Sequence, residues 1–374
     1  MTTHVSNPSF YAKLTADALA DRPLSESAAL ALLNDPAVEL LPLLNSAYAV
    51  RRARFGRAVQ VHILNNAQNG RCPEDCAYCT QARTSEADIT DYPVKSEEEV
   101  LAEAKRAYEA GAHRYCMVFA GRGPNEQRTA VLADLVRKIK QRYPLEVCVS
   151  AGLLDDTKAR ALAEAGLDRY NHNLNTSRAN YPNICTTHTY DDRVNTLRSA
   201  RQAGVATCSG LIAGMGEPPE DLVEIAFTLR ELGSESIPVN FLLPFEGNVL
   251  DTPGKELTPG YCLRVLCLFR LTNPRAEVRC AAGREFHLRS MEVMCLYPAN
   301  SLFLDGYLNG RGAERRRTYQ MIRDAGFEIQ SEHPLDELLG EIGADVNPTQ
   351  RAQVTVDGGR PTMKTEAELR PARA

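Results

Sequence analysis

From residue 58 onward the chain repeats one unit: a short apolar run, a turn, then a stretch with helical periodicity. The apolar runs lie at 59–64, 114–120, 146–151, 168–172, 205–213, 237–243, 277–281 and 301–304. Helical patterns lie between and after them, at about 96–110, 127–141, 157–165, 189–203, 219–232, 258–271, 284–297 and 312–325. Four of these end in Ala-Gly, at 110–111, 165–166, 203–204 and 325–326; glycine just past a helix end lets the chain turn back into a strand. Eight strand–helix units of this kind imply an α/β protein with a parallel sheet, and eight parallel strands most simply close into a (β/α)8 TIM-type barrel. A doubly wound open sheet is the alternative.

Residues 1–55 read as an N-terminal helical extension, with Ala/Leu-rich segments at 14–20 and 27–34 and a further helix near 38–54. Ser25 is the expected N-cap of a helix ending near Asn34. The barrel is expected over 56–330, followed by a C-terminal extension over 331–374 whose last twenty or so residues form a flexible tail.

Residues 65–81 carry Cys72, Cys76 and Cys79 within a segment rich in Asn, Gly and Pro, which marks a loop. Following the first strand, that loop belongs to the face where barrels build active sites. Three close thiols without a partner pair do not make a closed structural zinc site, which takes four ligands. A 4Fe–4S cluster bound through three cysteines keeps one iron open to another ligand. The chain has 374 residues, a formal net charge of −5, 44% hydrophobic and 24% charged residues. That composition offers no basic footprint for nucleic acid or an anionic membrane. Without an apolar run of about eighteen residues or a signal-peptide pattern, a cytoplasmic protein is expected. Eleven cysteines in such a compartment are ligands or buried thiols rather than a disulfide framework.

Three more cysteines fall inside expected strands: Cys116, Cys148 and Cys208. Singly, each is most simply a core thiol. At comparable depth on the second, third and fifth strands, they can converge on one interior point. Arg279 holds a similar place on the seventh strand, and an arginine inside a barrel needs a partner.

The Cys-x3-Cys-x2-Cys spacing resembles the radical S-adenosylmethionine (SAM) superfamily. The longer strings Gly-Arg-Cys-Pro-Glu-Asp-Cys-x-Tyr-Cys-x-Gln, Tyr-Cys-Met, Tyr-Asn-His-Asn-Leu, Thr-Cys-Ser-Gly and Ala-Gly-Arg-Glu resemble the biotin synthase family within it, over about 60–330. The resemblance implies a sulfurtransferase that completes biotin biosynthesis. Cys72, Cys76 and Cys79 would hold a 4Fe–4S cluster that binds SAM, and Cys116, Cys148, Cys208 and Arg279 a 2Fe–2S cluster. A 5′-deoxyadenosyl radical would abstract hydrogen from carbon 9 and then carbon 6 of dethiobiotin, and the inner cluster would donate sulfur. Asn171 and Asn240 become candidates for dethiobiotin, and Asn173, Asn175 and Arg193 for SAM, although an Asn-rich strand end also serves as turn chemistry and Arg193 as an exposed helix arginine. His172 is expected to be a satisfied structural histidine. A flavodoxin- or ferredoxin-type electron donor and a homodimer are implied as well.

Three departures from the family's pattern stand out. Asn175 replaces an aspartate, Arg122 is added near the active face, and Cys280 stands where leucine is common. A one-residue strand shift would turn Cys280 inward in place of Arg279 and make the inner ligand set all thiolate. Cys185, Cys262, Cys267 and Cys295 belong to no constellation and are expected to be structural. Competing readings are another radical-SAM barrel enzyme of the same branch acting on a different small molecule, and a non-catalytic iron–sulfur or zinc protein.

Overall fold

Parallel hydrogen bonding joins β1 (Ala58–Gln68), β2 (Arg114–Phe119), β3 (Glu146–Ser150), β4 (Arg169–Asn171), β5 (Ala206–Cys208), β6 (Leu211–Ala213), β7 (Ser236–Phe241), β8 (Glu277–Cys280) and β9 (Ser301–Leu304). The order runs β1-β2-β3-β4-β5-β7-β8-β9, with β6 also on β7, and β9 pairs back onto β1. The sheet is therefore a closed barrel rather than an open doubly wound sheet, with β5 and β6 forming one interrupted stave. A short β10 (Glu328–Ile329) pairs with the start of β1. These features come from a computed structural model, which describes residues 8–70, 72–251, 257–341, 356–357 and 359–373.

The stave expected over 205–213 breaks at Ser209–Gly210. Pro238 of the neighbouring β7 has no N–H to continue the ladder. A Cβ on Gly210 would stand 1.9 Å from the Pro238 carbonyl oxygen, so only glycine permits this close approach.

Three helices, α1 (Pro8–Leu19), α2 (Glu26–Asn34) and α3 (Leu40–Phe55), precede the barrel. Ser25 caps α2 as expected, accepting from the Ala28 N–H. The outer ring comprises α4 (Glu97–Glu109), α5 (Glu126–Arg142), α6 (Asp156–Glu164), a one-turn α7 (Tyr181–Ile184), α8 (Tyr190–Gln202), α9 (Pro219–Glu231), α10 (Pro259–Thr272), α11 (Arg284–Leu288) and α12 (Arg315–Asp324). Ser96, Asn125, Asp155, Thr189 and Thr258 cap five of them through their side chains. The N-terminal helices cover α10, whose Leu263, Val265, Leu266, Phe269 and Leu271 are all fully buried, and Arg264 of α10 donates to the Leu32 carbonyl at 2.8 Å. A helix apolar on every side is one enclosed on every side. Its Cys262 and Cys267 are packing residues, as expected.

The helix expected over 284–297 is broken. After α11 the chain tightens into a 3-10 segment, Arg289–Leu296, entered through Arg289 at φ 50°. The tight turn brings Glu292 within 3.0 Å of the buried Arg284 guanidinium, so the two charges neutralise each other.

The expectation of a free tail is corrected where the structure describes it. After α13 (Leu335–Glu341), residues 342–355 lie outside the described residues. Beyond them come β11 (Val356–Asp357), β12 (Arg360–Pro361) and α14 (Glu366–Leu369). The segment from 359 on packs against the barrel. Met363 bridges Gly310, the Lys364 N–H donates to the Asn309 carbonyl at 2.8 Å, and Leu369 and Arg370 are buried. Arg370 clamps the Glu99 carboxylate with contacts of 2.7 and 2.9 Å, and Lys95 donates to the Leu369 carbonyl at 2.6 Å. Composition alone concealed this, because polar residues dock here through ion pairs rather than an apolar stripe.

Removing one partner of a buried ion pair is costly, so Arg370→Ala should weaken docking of residues 359–373 by about 3 kcal/mol. Amide hydrogen exchange in that segment should accelerate while barrel amides stay protected. Unchanged exchange there would contradict the clamp.

Candidate active site

The cysteine loop leaves the C-terminal end of β1, where a buried polar network braces it. Asn66 donates to Asn69 at 2.9 Å, and Asn309 donates to Asn69 at 3.1 Å and to Thr80 at 3.0 Å. Two acidic residues inside the motif then stitch the loop to the segment before α8. Glu74 accepts from the Thr187 hydroxyl at 2.6 Å and pairs with His188 Nδ1 at 2.5 Å. Asp75 accepts the backbone N–H groups of Thr186 and Thr187 at 2.9 and 3.2 Å. Arg122, singled out as an addition near this face, stands 3.5 Å from Glu74 and also donates to the Thr187 carbonyl.

Within the loop, Cys76 is buried and Cys72 and Cys79 are partly so. Burial pushes the Cys72 thiol up, and the Cys79 thiol up to about 11. Thiols so disposed become thiolates when a metal takes the place of the proton. Among the described residues, these three do not group with their donor atoms within 4.8 Å of one another. That spread suits a cube whose thiolates sit at separate corners better than a single ion.

Deeper in the barrel, strand register sets Cys116 opposite Cys148 and Asn171 opposite Cys208. Alternation turns all three thiols inward, where they cluster with Ala281 and Phe303. Arg279 reaches the same place from β8, with Nη1 3.9 Å from the Cys208 sulfur. The neighbouring Cys148 thiol and, against the burial that opposes it, the Arg279 charge hold the Cys208 thiol low. Cys280 faces the other way, buried in the same apolar cluster as Cys295. The one-residue shift is thereby excluded: Arg279 faces inward.

One element of the sequence argument changes. Arg279 does not rely on thiolates for charge balance, because Glu277, two residues earlier on the same strand face, pairs with it directly. Glu277 also meets Arg114 at 2.9 Å and His62 at 3.2 Å, while the Ser236 and Ser301 hydroxyls each accept from Arg279 at 3.0 Å. Burial alone would raise the Glu277 carboxyl, but Arg114, Arg279 and His62 hold it well below its ordinary value. The period-two spacing of Glu277 and Arg279 was the sequence signal for this pair.

Beside the loop thiols lies a cavity of about 220 Å³. Cys72 and Cys79 line it on one side, and Asn171, His172, Asn173, Asn175, Arg193 and Asn240 line it elsewhere. Asn171 connects it to the inner set, its Nδ2 lying 3.2 Å from the Cys208 sulfur and 3.1 Å from Asn173 Oδ1. Asn175 adopts a left-handed backbone at φ 70°, which asparagine tolerates, and its amide donates to the Tyr78 hydroxyl at 2.5 Å. Asn240 accepts from the Ala282 N–H and donates to the Leu211 carbonyl, so part of its amide is already engaged. Arg193 is buried rather than exposed: it donates to the Asn173 carbonyl at 2.7 Å and stacks on Tyr181. His172 is not the satisfied histidine expected. It lines the cavity with Nε2 lacking a partner among the described residues, and burial, reinforced by Arg193, keeps the ring neutral.

Sequence reasoning did not single out Glu74, Asp75, Tyr78 or Glu277, and it placed Cys185 apart from the loop. In the fold Cys185 touches Cys76. Glu74, Asp75 and Tyr78 lie inside the motif and Glu277 two residues before Arg279, so each carried a local signal; Cys185 meets the loop through a contact distant in sequence.

Comparison with known proteins gives a consistent result. Residues 69–229 match the Radical SAM superfamily, and residues 238–328 match the Biotin and Thiamin Synthesis associated domain. Biotin synthase of Magnetococcus marinus is 57% identical over 84% of this chain and 97% of its own length. Biotin synthase of Acaryochloris marina is 51% identical over 87% of this chain and 93% of its own. The fold is similar to that of methylornithine synthase, with TM-score 0.72 and 20% identity over 87% of this chain and 99% of that one. It is also similar to the FeFe-hydrogenase maturase HydG from Carboxydothermus hydrogenoformans, with TM-score 0.70 and 18% identity over 87% and 80% of the two chains. With relatives this similar over most of its length, the chain belongs to the biotin synthase family, sulfurtransferases of the radical SAM superfamily that carry a 4Fe–4S cluster and use SAM.

Proposed function

We propose that the chain converts dethiobiotin to biotin by inserting sulfur at two unactivated carbons, with the substrate held between two iron–sulfur sites. The observation that supports this most is one cavity bordered by the loop thiols, with Asn171 linking its wall to the inner thiols and Arg279. Cys72, Cys76 and Cys79 would hold the 4Fe–4S cluster, and Cys116, Cys148, Cys208 and Arg279 a 2Fe–2S cluster. When bound, these groups and SAM supply a carbon-centred radical and a source of sulfide.

The chain's own residues prepare the site for that chemistry. Glu277 fixes Arg279 and leaves its Nη1 directed at the Cys208 sulfur. Asn171 donates to the same sulfur from the cavity side, so a ureido ring bound by Asn171 and Asn240 would sit next to the inner set. Asn173, Asn175 and Arg193 lie toward the loop, where a SAM carboxylate and ribose would be held. Val118, Phe119, Ile212, Phe241 and Leu242 give the cavity an apolar wall that keeps water from a reactive carbon. The reading implies a low-potential electron donor such as flavodoxin or ferredoxin, and a homodimer. All eleven cysteines are unbridged, which suits a reducing, cytoplasmic setting, and no helix among the described residues is long and apolar enough to cross a membrane.

Anaerobic reconstitution with iron and sulfide, followed by SAM, reductant and dethiobiotin, should yield biotin and 5′-deoxyadenosine. Deoxyadenosine without biotin would point to a different substrate, and neither product from intact clusters would sink the reading. Cys208→Ala should abolish biotin formation and the inner-cluster spectrum while sparing the loop cluster; equal loss of both would reduce Cys208 to packing. Glu277→Gln should strand Arg279 without its counter-charge, while Arg114 keeps Glu146, and lower stability by about 3–5 kcal/mol in denaturant titration. Because the Glu277 carboxyl is depressed, this stabilisation is present above its ordinary value of 4.5 and is lost on acidification. Glu277→Gln should therefore flatten the acid limb of the stability profile, and an unchanged limb would contradict the hub.

A further inference from the structure

Cys185, which looked structural in the sequence, sits at the centre of a compact donor set. Its sulfur lies 3.6 Å from Cys76 Sγ, 3.3 Å from Asp75 Oδ1, and 3.3 and 3.9 Å from the two ring nitrogens of His188. Donor atoms of Cys76, Cys185 and His188 all lie within 4.8 Å of one another, and all three residues are buried. In a tetrahedral site with metal–sulfur bonds of about 2.3 Å and metal–nitrogen or metal–oxygen bonds of about 2.0–2.2 Å, neighbouring donors stand about 3.5–3.8 Å apart. The observed separations are within a few tenths of an ångström of that. Two thiols and an imidazole form a donor set that suits a borderline-soft divalent ion, with Asp75 accepting from the Cys185 thiol beside it. Glu74, at 2.5 Å from His188 Nδ1, is the kind of carboxylate that orients a ligating histidine. Arg193 Nη2 donates to His188 Nε2 at 2.8 Å and stands 3.9 Å from the Cys76 sulfur, and an ion on that nitrogen would take its place.

We propose that in the cluster-free chain Cys76, Cys185 and His188 bind one thiophilic divalent ion, zinc or ferrous iron, and that this ion and the loop cluster exclude each other by sharing Cys76. Ion binding rests on the donor geometry alone; the exclusion also rests on Cys76 being a loop-cluster ligand. A disulfide between Cys76 and Cys185 would leave His188 outside the bond, whereas a metal ion engages all three.

The test uses the full chain, stripped of iron by chelator under anaerobic conditions, and titrated with zinc against a chromogenic chelator. Cobalt serves as a spectroscopic stand-in. Wild type and the Cys72→Ser/Cys79→Ser double variant should bind one zinc equally tightly. Cys185→Ser and His188→Gln should each weaken it at least about tenfold and remove the thiolate-to-cobalt band of a tetrahedral site. Zinc lost from the double variant but kept by Cys185→Ser would place the ion on the loop cysteines and overturn the proposal. Anaerobic iron–sulfide loading of Cys185→Ser shows that this variant is folded if a four-iron spectrum forms. One equivalent of zinc should slow that loading in wild type and not in Cys185→Ser. Equal slowing in both would refute the exclusion, and an intact loop cluster in a Cys76→Ser variant would instead refute Cys76 as a cluster ligand.

Discussion

A single buried carboxylate sets the electrostatics of the barrel interior. Glu277 meets Arg279, Arg114 and His62 at once, in a region where each of these side chains is almost wholly removed from water. Isolated charges at that depth would be prohibitive, and reciprocal pairing makes them tolerable. The arrangement fixes the Arg279 guanidinium deep in the barrel with one nitrogen directed at Cys208. Three thiols and an arginine can then share the interior of a barrel otherwise filled with apolar side chains.

The mouth of the barrel is organised by a different kind of contact. The cysteine loop gains its shape from Asn66, Asn69 and Asn309 below and from Glu74 and Asp75, which reach across to residues 186–188. The same tether carries Cys185 and His188 to the loop, and Arg193 joins them from the first turn of α8. Loop position, cavity wall and the neighbouring thiol are therefore mechanically coupled. The folded-back segment from 359 adds a further contact through Lys364 and Asn309, the latter a cavity-lining residue.

Much of this was legible in the sequence because it depends on period and spacing. Ala-Gly helix ends and eight apolar runs make a closed barrel the simplest fold, and period-two alternation makes Cys116, Cys148 and Cys208 inward-facing once their strands are known. Arg279 and Cys280 are adjacent, so only the register of β8 against β7 could decide which faces inward. The break at Gly210 and the 3-10 turn after Leu288 escaped notice because close approach to Pro238 and the Arg284–Glu292 pair are tertiary facts. For the same reason Cys185 looked unattached. Its partners on the loop, Cys76 and Asp75, lie more than a hundred residues away in the chain. The docked C-terminal segment is held by charged residues, whose composition resembles that of a disordered tail.

The central claim is that the cavity lies between two iron–sulfur sites. Iron-edge anomalous diffraction from crystals of anaerobically reconstituted protein tests it most directly. The account predicts two iron centres, one beside Cys72, Cys76 and Cys79 and one among Cys116, Cys148, Cys208 and Arg279, with the Asn171 side chain between the second centre and the cavity. A single centre at the loop, with the inner thiols packed against one another, would contradict it.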